Sequence, residues 1–110
     1  MPEQISTDYS FYEITNNNEK VVIQFYSRSC GMSRMSQSLF QSAESNFSSV
    51  KFAQVDVNEN PDTANNLNVR GTPVFLFFKN SRKVDELTLS GVDDLEEKLN
   101  NNLGNLDNFQ

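Results

Sequence analysis

Cys30 is the chain's only cysteine, and it stands in the stretch Ser27-Arg28-Ser29-Cys30-Gly31-Met32-Ser33-Arg34. An apolar run, Val21-Val22-Ile23-Gln24-Phe25-Tyr26, leads into it, and a segment of helical period follows. A cysteine between a buried strand and a helix start meets free backbone N–H groups and the positive end of the helix dipole, which stabilise a thiolate. The chemistry of such a group is nucleophilic attack on a disulfide. The competing reading is a buried structural thiol, because free cysteine is among the most buried residue types. Gly31 and the polar loop beside it favour the reactive thiol. Ser33, three residues on, is either a hydrogen-bond donor to that thiolate or a helix-start serine.

The elements that must position this stretch follow from hydrophobic period. Gln4-Ile5-Ser6 reads as a short edge strand, and Ser6 or Thr7 caps a helix over Asp8 to Asn17 with Phe11, Tyr12 and Ile14 on its apolar side. Val21 to Tyr26 suits a strand covered on both faces. After Cys30, Met32, Met35, Leu39, Phe40, Ala43 and Phe47 fall at steps of three and four, so they form a helix face, with Ser36, Gln37, Ser38, Gln41, Ser42, Glu44 and Ser45 on the solvated side. Lys51 to Val57 is a second central strand, and Asp62 to Asn68 a short helix. Pro73 must open the next strand, Val74 to Phe78, because proline cannot sit inside a central one. That run of aromatics reads as core. Lys79 to Arg82 turns the chain, and Lys83 to Leu89 returns antiparallel with Val84, Leu87 and Leu89 apolar. Ser90 or Asp93 caps a last helix carrying Val92, Leu95, Leu99 and Leu103, with Glu96-Glu97-Lys98 on its solvated face, and Gly104 stops it. The order β-α-β-α-β-α-β-β-α predicts an α/β domain, a mixed central sheet of roughly four or five strands flanked by about four helices.

Length and composition bound the function. The 110 residues make one domain, 1–104, followed by a polar tail or linker, 105–110. A net charge of −6 and a pI near 4.5, with no Lys/Arg run, argue against nucleic acid or an anionic membrane as partner. One cysteine cannot make an intrachain disulfide, so a reducing compartment, the cytoplasm, is the expected location. Without histidine, structural zinc sites and His-based nucleophilic triads are excluded, and no metal site is expected. The N-terminus lacks a signal-peptide pattern, and no apolar stretch approaches the ~18 residues of a membrane span.

The motifs, taken in order, resemble those of the thioredoxin family from about Gln4 to Leu103. They are Val21 to Tyr26, Cys30-Gly31, Val55-Asp56-Val57-Asn58-Glu59-Asn60-Pro61, Val69-Arg70-Gly71-Thr72-Pro73, Phe77-Phe78-Lys79-Asn80 and Asp94-Leu95-Glu96-Glu97-Lys98-Leu99. The closing third is also similar to the thioredoxin module of larger thioredoxin-like proteins, which would make 105–110 a linker. The resemblance implies the thioredoxin fold and makes Cys30 the attacking nucleophile. It makes Pro73 the cis-proline beside it and gives Thr72 a backbone that pairs with an extended substrate peptide. Gly31 and Met32 become the exposed lip of that groove. It implies disulfide-containing or glutathionylated proteins as partners, a thioredoxin-reductase-type enzyme or glutathione as reductant, and no bound cofactor.

The departures are specific. Ser33 stands where the family has its resolving cysteine, so a mixed disulfide at Cys30 cannot be released by intramolecular attack. This is either a natural monothiol motif or an engineered Cys-to-Ser trap. The family's tryptophan before the cysteine is Ser29, its buried acid is Gln24, the accompanying lysine is Gln54, and a glycine near the groove is Leu89. Three functions follow, in this order: a monothiol thiol–disulfide oxidoreductase of the protein-disulfide reductase type; a non-catalytic thioredoxin-fold binding module; and glutathione-dependent iron–sulfur binding, as in the Cys-Gly-Phe-Ser glutaredoxins that Cys30-Gly31-Met32-Ser33 resembles locally.

Overall fold

Alternation along the strands builds the molecule. In the computed structural model, residues 2–29, 31–88 and 94–104 are described, with only the backbone for 31–33. Five strands, β1 (Glu3–Gln4), β2 (Lys20–Tyr26), β3 (Lys51–Asp56), β4 (Val74–Lys79) and β5 (Arg82–Thr88), form one sheet in the order β1-β3-β2-β4-β5. The β1–β3 and β3–β2 pairs are parallel, while β2–β4 and β4–β5 are antiparallel. Successive side chains of β2 and β4 point to opposite faces. Val22, Phe75 and Phe77 enter one core, against α2 (Gly31–Glu44) and α4 (Asp94–Leu103). Val21, Ile23, Phe25, Leu76 and Phe78 enter the other, against α1 (Asp8–Asn17) and α3 (Pro61–Asn66). Covered on both faces, β2 reads from Val21 to Tyr26 as an apolar run broken by Gln24, and the aromatic stretch of β4 is core as its composition requires.

Several expectations are corrected. The edge strand is Glu3–Gln4 rather than Gln4 to Ser6, although Ile5 N–H still donates to Gln54 O at 2.8 Å. Thr7, not Ser6, caps α1 by accepting from Ser10 N–H at 3.0 Å. Tyr12 is exposed, and Thr15 takes its expected place inward by donating to Phe11 O at 3.1 Å. In α2, Met35 is exposed and Ser36 is fully buried, the reverse of the expected faces. Phe47 lies beyond the helix end yet remains core. The short helix α3 starts at Pro61, whose missing N–H suits a first helical position.

In the β4–β5 hairpin, Phe77 pairs Asp85 and Phe78 pairs Lys83, so Val84 is the bulged residue and faces solvent. Its turn, Asn80-Ser81, has φ of 53° and 69°, the left-handed pair that matches strand twist in a two-residue loop. Lys98 is not simply solvated, since its Nζ lies 2.8 Å from Asp85 Oδ2. Gly104, at φ 71°, ends α4 as expected. Cys30, Leu89, Ser90, Val92, Asp93 and the tail 105–110 lie outside the described residues.

Candidate functional site

Strand β2 ends at Tyr26 and α2 begins at Gly31, so the segment carrying Cys30 leaves the carboxyl end of a central strand. The residues before the cysteine are tied down by polar contacts. Asn58 Nδ2 donates to Ser27 Oγ at 2.7 Å, Ser29 N–H donates to the same oxygen at 3.3 Å, and the two serine hydroxyls are 2.8 Å apart. Arg28 Nε lies 3.5 Å from Asp56 Oδ2; that carboxylate is 3% exposed while the arginine side chain is 75% exposed. Asp56 Oδ1 accepts the backbone N–H groups of Asn58 at 2.9 Å and Glu59 at 3.4 Å. One buried carboxylate thus fixes the turn after β3 and, through Arg28, the loop after β2. A buried charge is tolerated where it is both paired and hydrogen-bonded in this way.

Behind the loop, Gln24 is fully buried on the face of β2 that α2 covers, and its Nε2 donates to Ser36 Oγ at 2.6 Å. Gln24 Oε1 has no hydrogen-bond partner among the described residues. Gln54, in register with Gln24 on β3, turns its amide to Gln4 Oε1 at 2.8 Å instead, and Tyr26 Oη donates to the same oxygen at 3.3 Å. Behind the loop, on the face that α2 covers, the buried polar pair Gln24 and Ser36 is uncharged.

The expected site residues have these places. Gly31, Met32 and Ser33 form the first turn of α2. Pro73 is buried just before β4, and the Thr72–Pro73 bond is cis. Thr72 is half-buried and lines a cleft of about 310 Å³ together with Ser27, Val57, Asn58, Asn65 and Gly71. Ser27, which leads to Cys30, and Thr72, which precedes Pro73, thus share one cleft. Sequence reasoning missed Arg28, Asp56, Asn58 and Ser36. Asp56 carried a signal, an acid closing the apolar strand Phe52 to Val55, but its partner lies on another element.

A family model for thioredoxin matches residues 3–102. Pig (Sus scrofa) thioredoxin is 36% identical over 102 residues, covering 91% of this chain and 97% of its own length. Horse (Equus caballus) thioredoxin is 37% identical over 98 residues, covering 87% and 93%. The crystal structure of Malassezia sympodialis thioredoxin superposes with a TM-score of 0.86 at 28% identity, covering 93% of this chain and 90% of that one.

The chain belongs to the thioredoxin family.

Its fold is the α/β thioredoxin fold, and its family is one of thiol–disulfide oxidoreductases. Thioredoxins act on disulfide-containing proteins and need no cofactor. Among the described residues no group of three His, Cys, Asp or Glu side chains is placed to hold a metal, and no helix is long and apolar enough to cross a membrane.

Proposed function

We propose that this thioredoxin-family chain is a monothiol oxidoreductase of the reducing cytoplasm, with Cys30 as its nucleophile, in a domain spanning 1–104 that 105–110 follow as a polar tail. The Cys30 thiolate attacks one sulfur of a partner's disulfide. A new S–S bond forms between Cys30 and that sulfur, the old S–S bond breaks, and the other half leaves as a thiolate. Ser33 cannot carry out the second displacement, because a hydroxyl does not displace thiolate at neutral pH. An external thiol, glutathione or a second protein thiol, therefore attacks the mixed disulfide and returns Cys30 to its reduced form. Gly31, Met32, Thr72 and Pro73 form the surface that receives the partner's chain.

The observation that carries this reading is the shared cleft between the loop leading to Cys30 and the segment leading to Pro73, within a family match that spans nearly the whole chain. The neutral Gln24 suits the same reading, because a single-thiol cycle has no resolving thiol to deprotonate. The test is capture. Purified protein mixed with disulfide-containing proteins should accumulate thiol-reversible adducts, and Cys30→Ser should accumulate none while keeping its circular dichroism spectrum. A folded protein with reduced Cys30 that forms no adducts would sink the reading and would be a binding module.

A further inference from the structure

Nine Lys and Arg residues are scattered along the chain, and the sheet gathers three of them into a row. Lys20 of β2 pairs with Lys79 of β4, and Lys79 pairs with Arg82 of β5. Residues directly opposite one another share a face of the sheet. Alternation puts the row on the face of Val22 and Phe77, the one that α2 and α4 cover. Lys79 and Arg82 are exposed. Lys20 is half-buried, with its Nζ 4.0 Å from the position a Cβ on Gly104 would take, beside the carbonyl end of α4. That negative end of the helix dipole anchors the ammonium there.

Like charges directly opposite one another destabilise a sheet, and the acids of this chain do not answer the row. Arg28, Lys51, Lys83 and Lys98 are each in an ion pair, whereas among the described residues Lys20, Lys79 and Arg82 make none. The next acid inward on the same face is Asp85, opposite Phe77. Its oxygens are already taken by Lys98, Asn102 and the Glu86 N–H. Glu19, beside Lys20 in sequence, is exposed and is in no ion pair with the three.

We infer that this row docks an acidic segment of a partner protein. Two strand spacings make it about 10 Å wide, close to the Debye length of ~8 Å at physiological salt. A narrow run of Asp or Glu laid on it feels the row and little else. A membrane or a nucleic acid reaches across the whole face and meets the net charge of −6. The row stands where β2 begins, while the segment carrying Cys30 leaves the far end of that seven-residue strand, about 20 Å away. A segment docked on the row therefore holds a partner without covering the Cys30 end.

The experiment follows fluorescence anisotropy of labelled hexaglutamate at low ionic strength. Binding should weaken about twofold per cation removed, the scale of exposed ion pairs, and so roughly tenfold in Lys20→Gln/Lys79→Gln/Arg82→Gln. Arg34→Gln/Arg70→Gln, which removes exposed cations that also lack ion pairs, should leave it nearly unchanged. Should the triple variant fail to fold because Lys20 is half-buried, Lys79→Gln/Arg82→Gln alone should weaken binding about fourfold. Cys30 should react with dithiodipyridine at the same rate with and without hexaglutamate. The inference is overturned by no binding of hexaglutamate, by an equal loss in the Arg34/Arg70 variant, or by none in the row variants. Shielding of Cys30 by the peptide overturns it too, as does row-dependent binding to phosphatidylserine vesicles in place of hexaglutamate, which would make the partner a membrane.

Discussion

Gln24 and Ser36 form a buried pair whose parts are worth more together than apart. Ser36→Ala would leave the fully buried Gln24 amide without its 2.6 Å partner, on top of an Oε1 already unpaired. Stranding a buried donor costs about 1–3 kcal/mol, whereas replacing both partners by apolar groups of similar shape is close to neutral. Chemical denaturation should therefore show Ser36→Ala destabilised by that amount and Gln24→Leu/Ser36→Ala recovering much of it. A double variant as unstable as the sum of the singles would show that the pair is not coupled. The sequence showed Gln24 as a departure from its family, but the serine that answers it was legible only as one more polar residue of α2. Steps of three and four admit Met35 or Ser36 to the stripe that holds Phe40 and Ala43, and residue type favoured the methionine. The partner that reverses this choice is 12 positions away on another element.

At the scale of elements, α4 is fastened to the sheet by Asp85 of β5, whose Oδ2 accepts from Lys98 Nζ at 2.8 Å and Asn102 Nδ2 at 2.9 Å. The hydrogen bond from Lys98 is the leading cause that holds the Asp85 carboxyl below its ordinary 3.8. A carboxyl whose folded-state value is depressed contributes stability that is present above the unfolded value and is lost as pH falls through the folded one. The stability gap between the protein and Asp85→Asn should thus be constant near neutral pH and close below about pH 4, as followed by urea denaturation. Both partners of the pair are partly exposed, so solvent screening keeps the gap small. A gap that widened on acidification would contradict the assignment. This fastening was hidden in the sequence by the bulge at Val84. Simple alternation from Lys83 to Leu89 places Val84 and Leu87 on opposite faces, and only the pairing with Phe77 shows which of them faces the core. The strands themselves were legible, because β2 and β4 are covered on both faces and therefore written as largely apolar runs.

For the whole molecule, the order of elements and the sheet's mixed topology followed from the alternating strands and helices and the closing hairpin. The candidate site is proposed from residues that local chemistry and family resemblance mark along the chain, Cys30, Gly31, Met32, Ser33, Thr72 and Pro73. What the sequence did not reveal is how the two loops meet. The Asp56–Arg28 pair and the Asn58–Ser27 hydrogen bond join segments about 30 positions apart, and no local period encodes such a contact. These ties join Ser27 and Arg28 to the turn after β3, and in the proposed function the start of α2 supplies the field that favours a thiolate at Cys30. The most direct test of that account is the rate of Cys30 alkylation by iodoacetamide as a function of pH. A midpoint well below the ~8.5 of a free cysteine is the predicted result. A midpoint at or above that value, or no alkylation until the protein is denatured, would contradict it.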